Sequence, residues 1–254
     1  MAGPEADPDQ APEQSFIEHL TELRNRLLRA VAAVLVVFLI LIPFATDLYG
    51  WLAQPLLRHL PSGGQLVAIE VAGPFLTPLK LAFFTAVMIT MPFSLYQAWA
   101  FVAPALYRNE KQLALPLLVS STLLFYLGCA FAFYLVMPVV FGFLASMTPD
   151  GVAMMTDIGR YLDFVLMLFF AFGMCFEVPV ATVIVVATGW LDVEALKRSR
   201  PYVIVGAFVV GAIVTPPDVL SQVMLAVPMC LLYELGILAA SALVKRRQAQ
   251  DTTR

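Results

Sequence analysis

Six apolar stretches, separated by short polar segments, set the pattern of this 254-residue chain. They run from Ala30 to Ala45, Leu81 to Ala105, Leu113 to Leu144, Phe164 to Ala187, Tyr202 to Val214 and Val219 to Val244. A helix that crosses a bilayer needs roughly 20 mostly apolar residues. The pattern therefore predicts an all-α membrane protein with six transmembrane helices, over about 27–49, 79–105, 113–144, 160–187, 202–214 and 219–244. The third run, about 32 residues, would reach roughly 48 Å as a helix, beyond a bilayer core, whereas the fifth would reach only about 20 Å. An uneven bundle is expected.

The flanks refine this picture. Residues 1–14 are acidic, rich in Pro and short of apolar side chains, which predicts a disordered tail. Ser15-Phe16-Ile17-Glu18 has the form of a capping box, so order is expected to begin at Ser15. No small-x-small site follows the first run, and Asp47, Tyr49 and Trp51 suit an interfacial end, so an uncleaved first span is expected rather than a signal peptide. One membrane domain then covers 15–244, followed by a basic tail over 245–254. Pro92, Pro138, Pro179 and Pro228 fall inside spans, where each removes an intrahelical bond and allows a kink. Between spans five and six, Thr215-Pro216-Pro217-Asp218 makes a sharp turn.

Composition agrees: 61% of residues are hydrophobic, 13% charged, and the mean hydropathy is +0.86. Cys129, Cys175 and Cys230 lie in apolar runs without a CxxC or Cys/His cluster, so neither a disulfide framework nor a metal is expected. Placement of positive charge is more informative than the net charge. One set of loops carries Arg24, Arg26, Arg29, Arg108, Lys111, Lys197, Arg198, Arg200 and the basic C-terminal residues, leaving only Arg58, Lys80 and Arg160 on the other side. The positive-inside rule then makes both termini cytoplasmic.

Candidate chemistry is sparse. There is no HExxH, GxSxG, Walker A or dinucleotide-binding fingerprint, and no enzyme is expected. Glu177, in Met174-Cys175-Phe176-Glu177-Val178-Pro179, falls well inside the fourth span. A charged side chain there costs about 2.5–3.5 kcal/mol on insertion scales, so Glu177 should face a cavity or a partner. Two readings are open: a protonated structural glutamate donating to the Cys175 carbonyl that Pro179 frees, or a polar lining group for something that enters the bilayer. Glu22 and Glu110 lie on the cytoplasmic side, where solvated charge is the default. On an isolated helix Glu22 would pair with Arg26 at i+4. Two carboxylates on one face also suit a ligand with two guanidiniums, because Arg meets a carboxylate bidentately and Lys does not. On the outer side, Asp218 and Gln222 flank the last turn, and Asp218 is equally suited to cap helix six.

Several motifs bring a family resemblance: HLTELRNRL over 19–27, Ala72-Gly73-Pro74-Phe75, Trp99 to Tyr107 with Glu110, GMCFEVP over 173–179, and Arg200-Pro201-Tyr202 through Asp218. Together, from about Ser15 to Val244, they closely resemble TatC, the multi-spanning subunit of the twin-arginine protein translocase. The resemblance implies a concave, cup-shaped bundle in the bacterial inner membrane. It also implies a receptor for twin-arginine signal peptides that assembles with single-span TatA and TatB subunits and exports folded proteins on the proton motive force. The implied partners are those peptides, TatA and TatB, further copies of the chain and lipid, with no nucleic acid and no cofactor. Matched by motif, Glu22, Arg24, Phe101 and Glu110 fall in the signal-peptide site, and Glu177 in the intramembrane cavity. Pro55 and Phe75 fall in outer loops, and Asp218 and Gln222 where single-span partners dock. A proton-coupled small-solute transporter using Glu177 is the rival from another class; it would expect repeats and a second midplane polar group, which the sequence does not clearly show.

Overall fold

The computed structural model describes residues 10–59, 66–102, 114–147, 156–214 and 219–252. Helix α1 (Gln10–Leu41) opens ahead of the Ser15 capping box. Pro12 is tolerated in the first turn, because the backbone N–H groups there have no intrahelical partner in any case. A 3-10 turn at Ile42–Phe44 carries the chain directly into α2 (Ala45–His59), and Tyr49 and Trp51 lie near the end of the apolar helical segment His19–Ala53.

Proline shapes the middle of the chain. Helix α3 (Gly73–Val102) holds Pro78 and Pro92. Helix α4 (Ala114–Phe131) passes through a π turn at Ala132–Val136 into α5 (Met137–Ser146). Pro138 cannot donate to the carbonyl of Tyr134, which lies inside that turn, so the widened turn sits where a bond is missing. The fourth apolar run becomes two helices, α6 (Ile158–Phe176) and α7 (Val178–Ala187), parted at Glu177 just before Pro179.

Two small elements escape the hydropathy pattern. Helix α8 (Val193–Arg198) is capped by Asp192, whose carboxylate accepts from Ala195 N at 2.7 Å, with Lys197 and Arg198 in its last turn. Strands β1 (Leu66–Val67) and β2 (Thr156–Asp157) pair in parallel. Asp157 then accepts from the N–H groups of Ile69, Gly159 and Arg160, capping α6 and fastening β1 to it. Those N–H groups, Arg160 first, hold its carboxyl below the ordinary carboxylate range.

Helices α9 (Arg200–Val214) and α10 (Val219–Thr252) close the chain. Among the described residues five helical segments are long and apolar enough to cross a membrane, while α9 is apolar but shorter. Its 15 residues rise about 22 Å. The main core gathers Val136, Met137, Val140, Tyr161, Leu162 and Phe172 between α4, α5 and α6. A second core joins α7, α8 and α10 through Val183, Leu196, Tyr233 and Ile237, with Tyr233 Oη donating to Leu196 O at 2.9 Å. Ala207 and Gly211 of α9 are both buried, and Gly211 lets α10 approach closely at Gln222.

Close helix crossings depend on glycine. A Cβ at Gly128 of α4 would lie 2.5 Å from the Phe172 carbonyl oxygen of α6. Backbone cannot move aside as a side chain can, so Gly128→Ala is expected to cost about 1–3 kcal/mol by overpacking. Gly142→Ala, with nothing within 4 Å, should cost little. Thermal unfolding in detergent compares them; equal stability of the two variants would contradict the crossing.

Candidate functional site

At the end of the bundle where α1 begins and α3 finishes, three predicted side chains can be located. The i, i+4 spacing puts Glu22 and Arg26 on one face of α1, as expected. Arg26 Nε donates to Glu22 Oε1 at 2.9 Å, its Nη2 donates to the same oxygen, and its Nη1 reaches Gln97 Oε1 of α3 at 3.5 Å. Beside this contact His19 stacks on Phe101, with ring centroids 4.3 Å apart. Arg24 faces away, donating to its neighbour Asn25 at 3.3 Å. Glu110 lies outside the described residues.

Deeper in the bundle, the break before Pro179 turns Glu177 toward α4. Ser121 Oγ donates to Glu177 Oε2, and Ser121 itself is buried. Glu177 Oε1 is buried without a partner among the described residues. Both residues line a cavity of about 380 Å³ with Met91, Ser94, Trp99 and Met174. The carboxylate is therefore not spent on the Cys175 carbonyl, which accepts from Glu177's own backbone N–H instead. This arrangement offers an unpaired carboxylate oxygen in a mostly apolar hollow whose other polar side chains are Ser94, Ser121 and Trp99. It holds no second carboxylate, and no grouping of three or more metal-ligating side chains exists among the described residues.

With this geometry in hand, the likenesses to known proteins are specific. A family model for TatC, the Sec-independent protein translocase protein, matches residues 18–228. The chain belongs to the TatC family. A TatC from Azotobacter chroococcum mcd 1 is 55% identical over 243 residues, which cover 96% of this chain and 95% of that one. The TatC of Escherichia coli K12 is 54% identical over 224 residues, covering 88% and 87%. A crystal structure of the twin-arginine translocase receptor TatC superposes with a TM-score of 0.78 at 37% identity, covering 88% of this chain and 98% of that one. Such relatives make the chain a multi-span membrane component of a bacterial protein translocase, a transport protein and not an enzyme, and they disfavour the small-solute transporter.

At the opposite end of this TatC chain the expected residues are scattered. Phe75 is exposed on the first turn of α3. Pro55 lies within α2, and Asp218 falls outside the described residues. Gln222 Nε2 donates to Phe208 O at 2.9 Å and so ties α10 to α9.

Sequence reasoning missed three features. Ser121 belongs to Ser120-Ser121-Thr122, a polar triplet inside the third apolar run that could have been marked as a partner for Glu177. Gln97 left no signal, since its contact lies on another helix. Glu177 is also not alone among acids inside the apolar runs: Glu234 sits in the sixth, paired with Arg200 at 2.7 Å beside a cavity of about 320 Å³ between α9 and α10. An arginine opening the fifth span and a glutamate within the sixth were both visible.

Ser121→Ala should destabilise the chain by about 1–2 kcal/mol, because both Glu177 oxygens would then be buried without a partner. In Glu177→Leu the same substitution should cost close to nothing. A double-mutant cycle on thermal unfolding in detergent measures the coupling; additive costs would contradict the pairing.

Proposed function

We propose that this TatC chain is the receptor of the twin-arginine translocation system and binds the arginine pair of signal peptides at its cytoplasmic face through Glu22 and Glu110, with Phe101 and Arg24 beside them. The observation that carries the proposal is Glu22 itself: its carboxylate already accepts two N–H donors from one guanidinium, the chemistry an arginine ligand would repeat. The apolar segment following the arginines then enters the hollow beside Glu177, whose unpaired oxygen meets a donor from the inserted chain.

On this proposal six helices, with α9 as the short fifth, form a concave bundle over 15–244 in the bacterial inner membrane, with both termini in the cytoplasm. The positive-inside rule supports that orientation. TatA, TatB and further copies of the chain are the partners, and folded proteins cross on the proton motive force. Pro55 of α2 and Phe75 at the start of α3 serve translocation on the outer side. Asp218 and Gln222 mark the docking region between the fifth and sixth spans.

Binding of a fluorescent Arg-Arg peptide to purified chain in nanodiscs tests the recognition step. Changing Arg-Arg to Lys-Lys should weaken binding roughly tenfold or more, and Glu22→Gln should do the same to the Arg-Arg peptide. Equal dissociation constants throughout would remove Glu22 from recognition.

A further inference from the structure

We infer that Arg26 is a built-in occupant of the Glu22 carboxylate, an internal competitor that an arriving guanidinium must displace. The inference rests on the reading of Glu22 as an arginine-recognising group. Two Arg26 donors, Nε and Nη2, fall on a single oxygen, Oε1, and Nη1 makes a long 3.5 Å contact with Gln97, a buried side chain of α3. Arg26 is therefore held from two helices, and its side chain is only 21% exposed. Glu22, at 37%, stays open to ligand. The same groups that an arginine peptide would offer are already present in the resting chain.

Competition of this kind has a definite consequence. When only a fraction of the chains has Glu22 free, apparent affinity falls by that fraction for every ligand. An arginine peptide replaces one guanidinium by another and recovers the same planar donors. A lysine peptide brings a compact, strongly hydrated ammonium that cannot reproduce the two-donor contact, yet it meets the same occupant. Arg26 thereby sets a threshold that weak cations fail to cross. It also refills the carboxylate when a peptide leaves, so the site is not left with a bare charge. A merely structural i, i+4 pair would behave differently: an exposed ion pair contributes little to a helix, and its loss would leave peptide binding alone.

Titrating Arg-Arg and Lys-Lys fluorescent peptides against purified chain in nanodiscs distinguishes the two. Arg26→Lys keeps the charge but loses the planar fork, and Arg26→Gln removes both. Each should bind the Arg-Arg peptide about two- to fivefold tighter, and the Lys-Lys peptide tighter by a similar factor. In a Glu22→Gln background both gains should vanish. If Glu22→Gln weakens binding while Arg26→Lys leaves it unchanged or weaker, the competitor is overturned and the recognition reading survives. If Glu22→Gln changes nothing, the recognition reading falls and the competitor with it. Should Arg26→Gln fail to fold, Arg26→Lys decides alone.

Discussion

A backbone in hydrocarbon has no water to satisfy it, so any interruption of a helix there must be repaired by the protein itself. Pro179 imposes such an interruption in the fourth span. The repair is local: Glu177 N–H bonds back to Met174 and Cys175, Ala181 N–H returns to Glu177 O, and Gly236 brings α10 close against Pro179 and Thr182. The side effect is chemical. Glu177 is set at the break, its carboxyl turned toward α4, and Ser121 fixes it there. One oxygen is held, and the other is buried without a partner among the described residues.

The two carboxylates of this chain are therefore prepared in opposite ways. Glu22 stands partly open and carries a replaceable guanidinium, so exchange costs little net charge separation. Glu177 is enclosed by apolar side chains, where an unpaired acceptor is expensive and any donor that satisfies it gains accordingly. On the proposed reading, a peptide with arginines ahead of an apolar segment would meet these demands in order. Its charge would stay near water, and its backbone donors would reach the apolar hollow.

Much of the helical layout was legible because a bilayer filters sequence harshly: long apolar runs have few alternatives to helices, and the prolines in them mark where helices break. Pro138 and Pro179 did so, whereas Pro92 and Pro228 lie inside continuous helices. The hydropathy pattern was silent on the β1–β2 pairing and on α8, because those short elements are held by polar backbone bonds and caps rather than by apolar length. The i, i+4 partner of Glu22 could be read from spacing alone. Gln97 gave no such signal, and the polar triplet around Ser121 marked a candidate without saying which residue it meets, since each contact joins helices far apart in the chain. Glu22 and Glu177 stood out from the apolar pattern and the charge placement, and the resemblance to TatC added Phe101; the contacts of Arg26 with Gln97 and of Ser121 with Glu177 came only from geometry.

The central claim is that the hollow beside Glu177 receives the segment that follows the arginine pair. Disulfide trapping tests it directly, using an Arg-Arg peptide with one cysteine in its apolar segment and a chain freed of Cys129, Cys175 and Cys230. Ser94→Cys places the probe in the hollow, and Leu127→Cys places it on the exposed side of α4. The account predicts trapping at position 94 and not at 127, lost when the peptide carries Lys-Lys. Trapping at both positions alike, or at neither, would contradict it.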